Sequence, residues 1–223
     1  SHEETGLKIT YFRDLELNLL FTKYHIAWYE YQSNAVVRGL TNRKNWQKHW
    51  NNIMQGPIEK INLIEARIFH HDFYPKNSPT FSANKYYQKG GFKSAHLELE
   101  NFFIDRGGEY FKNISKPEKS RHTCSRLSPY ISYGNISIRE IYKELLKSWD
   151  RPGWRRSMAA LSSRLHWHCH FIQKFESEIT IENEPVNSGY KNFPYLIIDK
   201  THNDFQSWAH GQTGYPLVDA SMR

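Results

Sequence analysis

The chain is 223 residues long, 39% hydrophobic and 15% aromatic, with a formal net charge of +7. That length supports one large or two small domains with ample material for a core. Its two cysteines, Cys124 and Cys169, lack C-x-x-C partners and exclude a disulfide framework, which fits a reducing, cytoplasmic setting. Apolar stretches such as Leu17 to Phe21 fall far short of the ~20 residues that cross a bilayer, and no signal-peptide pattern opens the chain. The basic excess suits a polyanionic partner or plain solubility, because the lysines and arginines are spread along the chain rather than clustered.

In chain order, Thr10 to Lys23 has helical character with apolar Phe12, Leu15, Leu19 and Leu20, and Ile26 to Tyr31 and Ala35 to Arg38 are strand-like. A helix around Trp46, Trp50 and Ile53 meets a Gly56-Pro57 break, and a loop holding Pro75, Asn77, Ser78 and Pro79 follows. From Gly90 the period becomes helical. Phe92, Ala95, Leu99, Phe102 and Phe103 form one stripe between Gly90-Gly91 and an Arg106-Gly107-Gly108 stop.

The stretch Cys124-Ser125-Arg126-Leu127-Ser128-Pro129-Tyr130-Ile131-Ser132-Tyr133-Gly134 has the grammar of a short helix. Ser128 is placed as N-cap, Pro129 suits the first turn, and Gly134 supplies a left-handed stop. Two readings fit this end: an ordinary capped helix, or free N–H groups that hold a phosphate with Thr123, Ser125 and Arg126 beside them. Next, Ser137 and Glu140 make a capping box, and Ile138, Ile141, Tyr142, Leu145, Leu146 and Trp149 recur at helical spacing.

A helix from about Arg156 to Glu176 puts Met158, Leu161, Leu165, Cys169, Ile172 and Phe175 on a buried stripe. Trp167 projects from the opposite side, with Arg164, His170, Phe171 and Lys174 around it. It reads either as a second packing surface or as an aromatic platform with cationic neighbours, suited to stacking a base. His166, His168 and His170 lack the glutamate of H-E-x-x-H, so no metal is expected. No G-x-S-x-G elbow and no P-loop occurs, which removes the best support for a hydrolase.

Cys124 to Gly134, with Asn135-Ile136-Ser137-Ile138-Arg139 after it, resembles the flavin-phosphate segment of the photolyase/cryptochrome family, T-S-R-L-S-P-Y-L-x-x-G-x-I-S-x-R. About 80 residues on, Trp208 to Arg223 resembles that family's W-x-x-G-x-T-G-Y-P-x-V-D-A-x-M-R block. The resemblance covers most of residues 88 to 223. It implies a mostly α fold: residues 1–40 as the end of a Rossmann-like α/β antenna domain, 41–88 as an interdomain connection, and 89–223 as the first part of an all-helical FAD-binding domain. The chain opens at Ser1 without Met and stops at Arg223 just after a helix begins at Pro216, so it reads as cut at both ends, with an antenna chromophore expected in the portion before Ser1.

The same resemblance implies FAD with its diphosphate on Cys124, Ser125, Arg126, Leu127 and Ser128, and flavin contacts from Tyr110 and His168. Trp167 matches the lesion-stacking aromatic. Leu161, Arg164 and His168 depart from the family's W-x-x-E-x-x-W-R pattern at its first tryptophan, its lesion-contacting glutamate and its flavin-contacting arginine; a guanidinium only donates hydrogen bonds. The implied activity is blue-light-driven splitting of pyrimidine dimers in damaged DNA by an electron from reduced flavin, carried out by a monomer with no membrane partner. The implied alternatives are a photoreceptor without repair activity or an inactive fragment.

Overall fold

The computed structural model describes residues 7–32, 34–59, 62, 64–65 and 86–223. The expected loop at Pro75, Asn77, Ser78 and Pro79 lies outside them. Two compact units divide the chain, Ser1–Thr180 and Ile181–Arg223. Among the described residues the regular structure is helical throughout, as the mostly α expectation requires.

In the first unit, α1 (Lys8–Lys23), α2 (Trp46–Gln55) and α3 (Phe92–Ile104) are followed by the short helices α4 (Tyr110–Asn113), α5 (Pro117–Thr123) and α6 (Ser128–Ser132). The long α7 (Ile138–Lys147) and α8 (Arg155–Ser177) complete it. α7 starts where its capping box dictates: Ser137 Oγ accepts from Arg139 N at 3.2 Å, and Glu140 Oε2 accepts from Ser137 N at 2.8 Å. The core forms where α2, α3 and α8 meet α7, around Trp50, Met54, Phe102, Ile141, Leu145 and Met158. Its stripes follow the helical period. Ala95, Leu99 and Phe102 are buried on α3, and Met158, Leu161, Leu165, Cys169 and Phe175 on α8, while Phe92 stays exposed because it opens its helix at the surface.

The strand-like segments 26–31 and 35–38 form no strand. A strand needs a neighbour for its ladder, and here a side chain takes that role. Fully buried Gln173 accepts from Val37 N at 2.7 Å and donates to Val37 O at 3.0 Å, and Trp46 Nε1 donates to Ala35 O at 2.9 Å. Apolar Phe12, Leu15, Leu19 and Leu20 of α1 are exposed. The buried residue of that helix is Asp14, whose carboxylate meets Arg38 at 2.6 Å and Arg13 at 2.8 Å.

The second unit contains α9 (Asn203–Ala209) and α10 (Pro216–Met222). Asp219 ties its final turn together: Oδ1 accepts from Thr213 N at 2.8 Å and Thr213 Oγ1 at 2.6 Å, and Oδ2 accepts from Gly214 N at 3.1 Å. Those bonds, Thr213's hydroxyl first, hold the Asp219 carboxyl below its ordinary range. Gly211 has φ +63, and a Cβ there would lie 2.8 Å from Asp219 O, so both the backbone and the space require glycine.

Candidate functional site

The turn between α5 and α6 is set by backbone geometry. Arg126 takes a left-handed φ of +58, uncommon for a side chain of its size, and Leu127 follows in the right-handed region at φ −88, ψ −12. This alternation turns successive N–H groups toward one side, the arrangement that makes an anion-binding concavity. Among the described residues, no hydrogen bond takes the N–H of Ser125, Arg126 or Ser128. Three free donors, the Ser125 and Ser128 hydroxyls and the Arg126 guanidinium make a donor set whose chemistry fits a diphosphate.

One part of the expected grammar differs. Ser128 is the first helical residue and caps nothing; Ile131 N bonds Leu127 O at 3.0 Å, so the helical turn opens a residue earlier. Gly134 stops α6 as expected, at φ +66, with Asn135 N bonding Tyr130 O at 2.8 Å across it.

What holds the turn is Arg106, which the sequence offered only as part of a helix stop. Its guanidinium donates to Cys124 O, to Ser125 O at 3.2 Å, and to the Glu98 carboxylate and Glu98 O, while its Nε donates to Asn101 Oδ1 at 2.6 Å. A single fork thus joins the end of α3 to the two carbonyls that begin the turn. Burial lowers the Arg106 pKa, and the Glu98 carboxylate opposes that shift. A second tie runs from Gln88 Nε2 to Arg126 O at 3.1 Å.

On the α8 side, Tyr110 lies 5% exposed. Its backing is Ser157, whose Oγ donates to Gly108 O at 2.7 Å and accepts from Phe111 N at 3.1 Å. The Tyr110 hydroxyl lies within electrostatic reach of the Cys124 thiol and the Arg164 guanidinium. Burial pushes the tyrosine up to about 12, with Cys124 adding to the shift and Arg164 opposing it. Burial likewise raises the half-buried Cys124 thiol against the pull of Arg106 and Arg126.

Arg164 also stacks 4.2 Å over the Trp167 ring, which is 45% exposed, and Phe171 stands edge-on to it at 6.1 Å. Tyr110, Cys124 and Arg164 therefore converge, and Trp167 joins them through Arg164. His168 is half-buried beside Cys169 Sγ at 3.8 Å, and Ser128 faces solvent. His166 and His170 stack on one another at 5.9 Å and pack against Trp46, so they belong to the α2–α8 packing. Among the described residues no metal-ligand cluster occurs, and no helix is long and apolar enough to cross a membrane.

A groove of about 620 Å³ opens beside the turn. It lies toward α3 and α5, sharing Arg126 and Tyr130 with the turn, and Tyr110, Arg164 and Trp167 are not in its lining.

Residues 160–223 match the family model described as the FAD binding domain of DNA photolyase, which makes this helical chain one of the flavin-binding class. The deoxyribodipyrimidine photo-lyase of Alkalihalophilus pseudofirmus is 31% identical over 92% of this chain and 38% of its own length, and that of Buchnera aphidicola 29% over 99% and 44%. Cryptochrome-1 of Arabidopsis thaliana is 30% identical over 77% of the chain and 25% of its own length. The chain belongs to the photolyase/cryptochrome family, and it spans less than half the length of these curated relatives.

Proposed function

We propose that the chain supplies the phosphate-holding turn and lesion-facing platform of a flavin-dependent, blue-light-driven DNA repair protein that splits pyrimidine dimers. The observation that carries this reading is the convergence of Tyr110, Cys124 and Arg164 beside the half-exposed Trp167 ring. FAD, when bound, supplies light-driven one-electron chemistry; the protein supplies placement and electrostatics. The N–H groups of Ser125, Arg126 and Ser128 would hold its diphosphate, and His168 and Tyr110 would border the ring system. At neutral pH the Tyr110 hydroxyl keeps its proton and acts as a donor. Trp167 offers a face on which a flipped base stacks. Arg164 donates to carbonyl or phosphate oxygens and has no proton to exchange.

Residues 1–40 are proposed as the end of an α/β domain holding an antenna chromophore, 41–88 as its connection, and 89–223 as helical flavin-domain sequence. The protein would meet damaged DNA as a cytoplasmic monomer.

A specific observation favours a second reading. Arg164 stands where the family's repair members carry glutamate, and cryptochromes are among the relatives, so photoreception without repair is the competing function. Exposure of ultraviolet-irradiated DNA to the protein under blue light separates the two. Dimer loss supports repair, and flavin photoreduction without dimer loss supports photoreception. A protein that purifies without flavin absorption refutes both. Flavin colour lost on Arg126→Ala would tie the cofactor to the turn.

A further inference from the structure

One face of the Trp167 ring is already occupied. The Arg164 guanidinium lies over it, 4.2 Å from the centroid, and Phe171 stands edge-on at 6.1 Å, so a base that stacks on the covered face moves the guanidinium aside. The side chain is free to move. Arg164 is exposed, and its helix neighbours at three and four residues, Ala160, Leu161, Trp167 and His168, carry no carboxylate to fix it. A cation over a ring at an exposed site is held only weakly, so a ligand that offers the guanidinium acceptors draws it off the ring. Arg164 then lies at the rim of the base that displaced it.

Flipped bases are read through their pairing edges. A guanidinium brings a fork of N–H donors to such an edge and no acceptor. The cyclobutane ring of a pyrimidine dimer forms at C5 and C6 and leaves both pairing edges intact, and there the two pyrimidines differ. Cytosine sets N3 and O2 side by side as acceptors, which two arms of the fork can meet together. Thymine places its N3–H donor between O2 and O4, so one arm of the fork faces a like donor and goes unmet. We propose that Arg164 makes the Trp167 platform select pyrimidine dimers that contain cytosine over thymine–thymine dimers. The inference rests on dimers being the substrate, as in the function above, and adds which base the platform reads.

Three labelled single strands that differ at one central site test it: undamaged, with a thymine–thymine dimer, and with a thymine–cytosine dimer used before its cytosine deaminates. Anisotropy gives the affinity of the full chain for each. The wild type binds the cytosine-containing dimer about 5- to 150-fold more tightly than the thymine–thymine dimer, the range of one bidentate base contact. Arg164→Gln, whose amide both donates and accepts, brings the two affinities close together, and Arg164→Glu, which only accepts, reverses their order. Melting by circular dichroism confirms that both variants are folded. Equal wild-type affinity for the two dimers, each above the undamaged strand, overturns the selectivity and leaves the platform standing. A wild type that binds neither dimer better than the undamaged strand overturns the platform as well. A cytosine preference that persists in folded Arg164→Gln overturns Arg164 as its source.

Discussion

The turn at Cys124 to Ser128 and the platform at Arg164 to Phe171 are built in opposite ways. The turn's shape is fixed by distant residues: Arg106 holds two of its carbonyls, Gln88 a third, and Leu127 is buried under it. The platform's ring contacts come from its own helix, with Arg164 lying on Trp167 and Phe171 edge-on, 59% exposed. A cradle for a rigid diphosphate needs donors fixed to within a fraction of an ångström, whereas a stacking surface tolerates sliding. Substitutions behind the turn should therefore cost stability and cofactor together, and substitutions on the platform should cost ligand alone.

The largest effect is expected from Arg106→Ala. The Arg106 side chain is 14% exposed, and its removal strands two carbonyls and the Glu98 carboxylate. Lost charge-assisted hydrogen bonds of this kind cost about 2–3 kcal/mol. Denaturant melts should show that loss, with flavin retention falling in parallel; Arg106→Lys, a point charge without the fork, should recover only part of either. Flavin retained at wild-type level in Arg106→Ala would break the contrast between the two regions.

Gly107→Ala comes next. A Cβ there would lie 2.7 Å from Phe102 O, 2.9 Å from Trp154 Cζ3 and 3.0 Å from Phe102 Cε1. Such overpacking costs roughly 1–3 kcal/mol. Because the residue follows Arg106, a melt showing no loss would mean that the backbone behind the turn is softer than its contacts imply.

The same contrast explains what the sequence reveals. α3, α7 and α8 were legible because Gly90-Gly91, the Ser137–Glu140 box and the 3.6-residue stripes are local signals, whereas the short α4 and α5 carried no such signal. The turn was legible as a motif, down to the Gly134 stop. Its support was not, because nothing in Arg106-Gly107-Gly108 announces that an arginine reaches carbonyls 18 and 19 residues onward. Nor could periodicity foresee Gln173 standing in for a β-partner 136 residues away. The platform was read from Trp167 lying off its stripe, and the electrostatic neighbour it did not announce, Tyr110, is again distant in sequence from Arg164.

Acidification tests the α2–α8 packing that supports the platform helix from its other side. Burial lowers the pKa of both His166 and His170, assisted at His166 by His170 and at His170 by Arg43 and Lys174. Glu178 lies against Lys174 at 2.7 Å and Arg43 at 3.7 Å and offsets part of that charge. Both folded pKa values lie below that of the unfolded chain, about 6.5. Stability is therefore full above pH ~6.5 and declines below it, as the unfolded chain takes up protons that the folded one refuses. Melting temperature measured from pH 7.5 downward should fall in the wild type and stay flatter in His166→Gln/His170→Gln; equal slopes would place the acid sensitivity elsewhere.

The smallest expected change in stability, and the sharpest division between the regions, belongs to Trp167→Ala. Its ring is half exposed, so truncation should leave stability within about 0.5 kcal/mol. What it removes is the surface for a base, worth about 1–3 kcal/mol per stacked base, so affinity for a single-stranded oligonucleotide should drop by about 5- to 150-fold. Arg164 would lose its ring partner yet stay within electrostatic reach of Tyr110, and the turn should hold flavin as before. A melt showing more than about 1 kcal/mol lost, with oligonucleotide affinity unchanged, would make Trp167 a packing residue.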